Sequence, residues 1–404
     1  MDRQMLAVVI EPVKAEFGLS DLQIGLVSGL GFALSYSLLG VPLGRVADRH
    51  ERRSLIAFTR GLGGLIAACG AGALGFWTLM ASRAGAALSD AGGAPASLSM
   101  IADLYPPEQR SRAMSVFGVG PAVGSMLALV LGSWLANHWG WRTALALVGG
   151  SAIVLAIVLR MMTHEPSRSV QAGPATLLVV AGPGAVSLIW RQPVVRWLMV
   201  GVAFVLLAGY SFGAWNVSYL MRSHGLSLMQ AGWISGLAAV GSVFGGLVAG
   251  MLADRLVYRY GVHWQMGVPL LGVTCAMFIG LMYFALPAGQ VIAAAVMVFL
   301  FAFFISWWVA PTFAALSLIV PEQRRATASA MVTLSGSIVG SGLGIIITGS
   351  MSTWLTPLLH EHALRAALIG AVAMMSVSVY AYWQAMQLYA SALREMDTSV
   401  VGTI

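Results

Sequence analysis

The chain has 404 residues, of which 58% are hydrophobic and 9% charged, against about 45–50% and 25% in soluble domains. That balance excludes a soluble globular enzyme and predicts an all-α membrane protein, with room for about a dozen helices if each span takes roughly 20 apolar residues. The net charge of +7 does not imply nucleic acid, because the basic residues lie in loops between apolar runs rather than on one soluble face.

In chain order, Met1 to Phe17 is apolar but short for a bilayer about 30 Å thick. It reads as the outer half of a first helix whose inner half is absent. Apolar segments follow at 22–44, 54–75, 78–102, 110–136 and 142–162, then at 194–221, 228–252, 266–286, 290–318, 324–350 and 364–390. The stretch from Thr163 to Gln192 interrupts them with Pro166, Gly173, Pro174 and Pro183. It divides a bundle over 1–162 from one over 193–393, with a tail over 394–404. Cys69 and Cys275 lie far apart inside apolar segments and read as small hydrophobes rather than a disulfide.

Two short patterns occur twice, in the same order. Gly44-Arg45-Val46-Ala47-Asp48-Arg49 recurs as Gly250-Met251-Leu252-Ala253-Asp254-Arg255, and Pro107-Glu108-Gln109-Arg110 recurs as Pro321-Glu322-Gln323-Arg324. Repetition at this spacing marks a tandem duplication of a membrane bundle. Arginines concentrate in the loops after the second, fourth, sixth, eighth and tenth spans, which places those loops and the C-terminus on the cytoplasmic side. The opposite loops carry little beyond Lys14, Arg142, Arg222 and Arg365.

Several residues are candidates for a mechanism. Around Gly44, the acidic Asp48 and the arginines Arg49, Arg52 and Arg53 can latch one side shut, with Asp103, Arg112 and the region of Glu322 as partners; the bland alternative is a solvated, positively charged loop. Inside the fourth span, Arg83 and Asp90 stand two helical turns apart on one face. A charge at that depth costs on the order of 2.5–3.5 kcal/mol and usually meets a cavity or a partner. A carboxylate in such a place takes up a proton as it loses water and releases it as an arginine approaches, unless the pair is a static brace. Tyr36, Tyr210, Trp215, Asn216, Tyr219, Trp308 and Thr312 can wall a cavity for an amphipathic solute, although interfacial anchoring explains Trp and Tyr as well.

The loop from Gly44 to Arg53 resembles the signature between the second and third helices of the major facilitator superfamily, with Glu51 where that family usually has Gly. Asp2-Arg3, the run from Glu11 to Asp21, Ser89-Asp90-Ala91-Gly92-Gly93-Ala94-Pro95 and the region Trp215 to Gly232 resemble its spinster branch. Its animal members move sphingolipids and lysophospholipids. The resemblance implies two pseudo-symmetric six-helix bundles and places Asp2, Arg3, Arg83 and Asp90 on the central cavity, Asp90 standing where Glu is usual. Gly118-x-Gly120-Pro121-x-x-Gly124 looks like a motif associated with antiporters of the superfamily.

These features predict a secondary active transporter of an amphipathic or lipid-like solute, working by alternating access and coupled to protons; the alternatives are an exporter of drugs or small metabolites, or a facilitated, uncoupled transporter of lipid. It is expected as a multi-pass monomer in the cell inner membrane, with no cofactor, metal or nucleic acid. The paired gate patterns argue against a receptor that binds without moving its ligand. The absence of a nucleophile or histidine constellation argues against an intramembrane enzyme.

Overall fold

A computed structural model describes the chain except residues 32–34, 36–37, 40–41, 44–45, 48–49, 167–189, 191, 321–324 and 402–404. Among the described residues all regular structure is helical: α1 (Asp2–Phe17), α2 (Asp21–Gly25, continued by a π-helical turn, Leu26–Leu30), α3 (Arg52–Cys69), α4 (Phe76–Leu104), α5 (Pro107–Met162), α6 (Pro193–His224), α7 (Leu228–Tyr260), α8 (Trp264–Ala285), α9 (Val291–Ile305), α10 (Val309–Ile319), α11 (Arg325–Gly336), α12 (Ile345–Leu359), α13 (Ala363–Ala373) and α14 (Met375–Val401).

Local chemistry sets the boundaries. Gly18 takes the left-handed conformation (φ 63°) that ends α1, its N–H returning to the Lys14 carbonyl. Two residues on, Ser20 and Gln23 form a reciprocal capping box that starts α2. α5 begins with Pro107 at its first position and is broken at Gly140, where φ is 80° and ψ 161°. That break divides 56 residues into two crossings, since at about 1.5 Å per residue one straight helix would be more than twice as long as a bilayer core is thick.

Seven helical stretches among the described residues are long and apolar enough to cross a membrane. Two of them, Val116–Met162 and Ala328–Leu393, contain more than one crossing, which accounts for part of the difference from the segments read in the sequence. α4 is long enough at 29 residues but is diluted by Arg83, Asp90 and Asp103.

The chain forms two compact units, which cut across the halves suggested by the repeats. The first comprises Met1–Leu177, Gly213–Gly236 and Ile345–Leu364; the second comprises Leu178–Phe212, Leu237–Gly344 and Arg365–Ile404. In the first, α3 packs on α4 and on the second part of α5, α1 packs on α5, and α12 packs on α2. Small residues allow these approaches: a Cβ on Gly63 would meet Ser89 Cβ at 2.6 Å, and one on Gly64 would meet Ala152 Cβ at 2.8 Å. The outer turn of α6 joins this unit through Trp215, whose indole N–H donates to the Ile345 carbonyl at 3.3 Å.

In the second unit, α8 packs on α9 and α14, and Phe212 stacks on Phe301 with ring centroids 4.4 Å apart. The Tyr382 ring fills the space above Gly201. Ser378 donates to the Gly201 carbonyl at 2.7 Å, so hydroxyls join helices where an apolar solvent offers them no partner.

Candidate functional site

Three charge networks lie within the first unit, each made by elements distant in sequence. The first is on the side of the expected cytoplasmic loops. Arg52, at the start of α3, donates through Nη1 to Asp103 Oδ2 at 2.6 Å and to Ser99 Oγ at 2.8 Å, and through Nε to Glu165 Oε1 at 2.9 Å. Both Arg52 and Asp103 side chains are 4% exposed. Arg53 pairs with Glu51 at 2.5 Å and donates to the Thr163 carbonyl at 2.9 Å. Hydrogen bonds from Ser54 and Arg53 hold the exposed Glu51 carboxyl below its ordinary range.

The second network is on the opposite side. Arg222, near the end of α6, donates through Nε and Nη2 to Glu11 Oε1 at 3.0 and 2.7 Å, and through Nη1 and Nη2 to Asp21 Oδ2 and Oδ1 at 2.8 and 2.9 Å. Asp21 also accepts from Ser352 at 2.6 Å and from Lys14. Burial works against its charge, but the hydrogen bonds and positive charge of Arg222, with those of Lys14 and Ser352, outweigh it. They hold the carboxyl well below the usual carboxylate range. Thr353 accepts from the Leu22 N–H at 2.9 Å, fastening α12 to the cap of α2. A cavity of about 480 Å³ opens beside this cluster, bordered by Lys14, Asp21, Arg222, Thr356, His360 and Glu361.

The third network sits between these ends. Arg60, in the middle of α3, places Nη1 3.1 Å from Asp90 Oδ1 and 3.2 Å from Ser89 Oγ. The two charged side chains are 36% and 42% exposed. Arg60 stands about 200° around α3 from Phe58. It thus opposes the face carrying the exposed Phe58 and Leu65 and lies on the interior side of the helix. Arg83 is buried at 4% exposure, its Cβ 3.9 Å from the place where a Cβ on Gly31 would lie.

The candidate residues from the sequence distribute over these places. Asp90 finds its charge partner in Arg60 on the neighbouring helix. Arg3 is half-buried on α1. Trp215, Asn216 and Tyr219 are buried in the first unit: Asn216 donates to Ser235 Oγ at 2.7 Å, and the Tyr219 hydroxyl is 3.3 Å from His224 Nε2. In the second unit, Thr312 lies 3.0 Å from the Tyr382 hydroxyl, Trp308 is 9% exposed, and Tyr210 is half-buried beside Gly340. Asp254 and Arg255 are exposed at the end of α7. Tyr36, Gly44, Asp48 and Arg49 lie outside the described residues, as do the side chains of Asp2 and Arg112.

Arg60, Glu165 and the union of Glu11 and Asp21 on Arg222 are the groups that the sequence reading did not single out. Arg60 was accessible to it, being an arginine in the middle of the apolar run 54–75 and subject to the same insertion cost as Arg83.

A family model described as Major Facilitator Superfamily matches residues 1–345. An "MFS-type efflux pump" of Mycolicibacterium smegmatis is 32% identical over 392 residues, covering 96% of this chain and 90% of that one. "Protein spinster homolog 1" of Rattus norvegicus is 24% identical over 395 residues, covering 89% and 72%. Among solved structures, a bacterial homolog of the human lysosomal transporter spinster, inward-facing and unoccupied, superimposes with a TM-score of 0.84 at 25% identity, over 97% of this chain and 94% of that one.

Proposed function

Because the chain belongs to the major facilitator superfamily and is a spinster-like membrane transporter rather than an enzyme, we propose that it moves an amphipathic organic solute by alternating access, coupled to protons. The observation that carries this reading is the pairing of Arg60 and Asp90. These are ionisable groups in the middle of apolar helices, held 3.1 Å apart yet more than a third exposed. Charges kept at that depth are costly unless they serve a pathway. Protonating Asp90 removes the anion that holds Arg60, so one proton changes the polarity of the interior face. The networks at Arg52 and Arg222 lie at opposite ends of the same unit, which supports a latching role for each at its own end. The localisation that fits is the bacterial inner membrane, with the Arg52 end facing the cytoplasm.

Asp90→Asn tests the coupling. In proteoliposomes the variant should fold and bind solute but lose the acceleration that an imposed pH gradient gives the wild type. Unchanged gradient dependence removes Asp90 from that role. Similarity to an efflux pump supports a second reading, export of drug-like compounds through the same pathway. Gradient-driven movement of cationic dyes with no movement of single-chain lipids would favour it.

A further inference from the structure

The cavity of about 480 Å³ at the outer end of the first unit falls within the size range of small-molecule sites, and its wall is polar almost throughout. Lys14, Ser20 and Asp21 come to it from α1 and the connection to α2, while Ser352, Thr356 and Glu361 come from α12 and the turn that follows. Among the described residues, Pro357 and Ala363 are its only apolar lining. An acyl chain or an aromatic ring therefore finds no surface to cover there.

Charge selects among small polar ligands. Arg222 is engaged by Glu11 and Asp21, and Lys14 by Asp21. The exposed Glu361 carboxylate makes no ion pair or hydrogen bond among the described residues. With His360 neutral, three carboxylates thus surround two cations, and the excess negative charge stands on Glu361. An anion would meet that charge and compete with Asp21 for cations already engaged. A metal ion finds no group of three histidine, cysteine or acidic side chains among the described residues. Acceptors are in surplus: Ser352 Oγ donates to Asp21 and Thr356 Oγ1 donates to the Ser352 carbonyl, which leaves the lone pairs of both hydroxyls to accept. His360, with φ at 46°, is the one non-glycine residue described in the left-handed region, a conformation that a β-carbon disfavours. The turn it makes carries Glu361 to the cavity wall.

We propose that this cavity is a site for a small hydrophilic primary ammonium taken from the outer solution. The Glu361 carboxylate accepts from the ammonium, and Thr356, Ser352 and His360 offer further acceptors for its remaining protons and for hydroxyls beside it. A bound ammonium joins the turn after α12 to the connection between α1 and α2, which Ser352 and Asp21 already tie. Occupancy therefore adds to the stability of that network. The inference is independent of the transported solute and of proton coupling, since neither Arg60 nor Asp90 takes part in the site.

The experiment is a calorimetric titration of the purified chain in a neutral maltoside detergent and an amine-free buffer of low salt. The probes are serinol, which is glycerol with an ammonium in place of its central hydroxyl, together with glycerol itself, tetramethylammonium and sodium. Serinol should bind at least about tenfold more tightly than glycerol, which lacks the charge, and than tetramethylammonium, which carries the charge without a donor. Glu361→Gln should weaken serinol binding by about tenfold or more, and Glu361→Asp should restore part of it. Thr356→Val should weaken it several-fold with Glu361 intact, which keeps the test available if Glu361→Gln does not fold. Serinol should also raise the melting temperature of the wild type and leave that of Glu361→Gln unmoved. Equal affinity for serinol and either glycerol or tetramethylammonium, displacement of serinol by equimolar sodium, or serinol binding unchanged in both Glu361→Gln and Thr356→Val overturns the inference.

Discussion

Arg222 shows how one side chain can fix the state of an end of the molecule. Its guanidinium serves two carboxylates, Glu11 and Asp21, and all three are at most about one-fifth exposed. Removing one partner of a buried ion pair costs about 3–5 kcal/mol, and partial exposure reduces that. Arg222→Gln should therefore cost about 2–3 kcal/mol, read as a lowered melting temperature in detergent, and a variant that melts with the wild type would contradict the assignment. Asp21 carries the pH dependence. Its folded pKa is depressed, so its contribution is fully present above the unfolded value of about 4 and is lost as pH falls through the lower, folded value. The difference in melting temperature between wild type and Asp21→Asn should stay constant from pH 8 to 5 and shrink only below about pH 4. A difference that fades between pH 8 and 6 would rule this out.

At this scale the sequence was legible where a charge sat in an apolar run and opaque where partners came from far along the chain. Arg83 and Asp90 stood out by insertion cost alone. The link from Arg52 to Asp103 followed from their loops lying on one side of the membrane. Nothing local joins Arg222 to Glu11, because a bond between residues so distant is a property of packing. Similarly, hydrogen-bonding capacity alone could not assign Asn216 to Ser235 or Thr312 to Tyr382.

Between elements, glycine decides how closely helices approach. A Cβ on Gly63 would stand 2.6 Å from Ser89 Cβ and 2.9 Å from Ser89 N. Gly63→Ala should then force α3 and α4 apart at a cost of about 1–3 kcal/mol and disturb Arg60 and Asp90 along with them. Gly72→Ala has nothing within 4 Å of the new carbon and serves as the control, expected within about 0.5 kcal/mol of wild type. Equal melting temperatures for the two variants would mean that this seam does not hold the helices together. The boundary between α1 and α2 was visible as the end of one apolar stretch at Phe17 and the start of the next at residue 22, although the glycine stop and the Ser20–Gln23 cap were not read. The break inside α5 was visible as a gap between apolar segments, although its conformation at Gly140 was not. The close seam of α3 with α4 was not visible, because glycine is common in membrane helices for many reasons.

Across the whole molecule, the family was legible in the loop pattern from Gly44 to Arg53 and its repeat, whose physical basis is that two similar bundles can exchange an opening from one side to the other. The composition of the compact units was hidden. Segments 213–236 and 345–364 belong by sequence to the second repeat, yet they pack with the first, because Arg222 and Ser352 find their partners there. Substrate remains the least legible property, since it depends on the shape and polarity of an interior surface assembled from many helices rather than on a motif.

The central claim is that the Arg222 and Arg52 networks open in turn. Its direct test is labelling by a membrane-impermeant maleimide of single cysteines at Ser352 and at Ser99, each in a background of Cys69→Ala and Cys275→Ala, with and without Arg222→Gln. Alternation predicts that losing Arg222 speeds labelling at position 352 and slows it at position 99, applied from the respective sides. Labelling that rises at both positions, or changes at neither, would contradict the account.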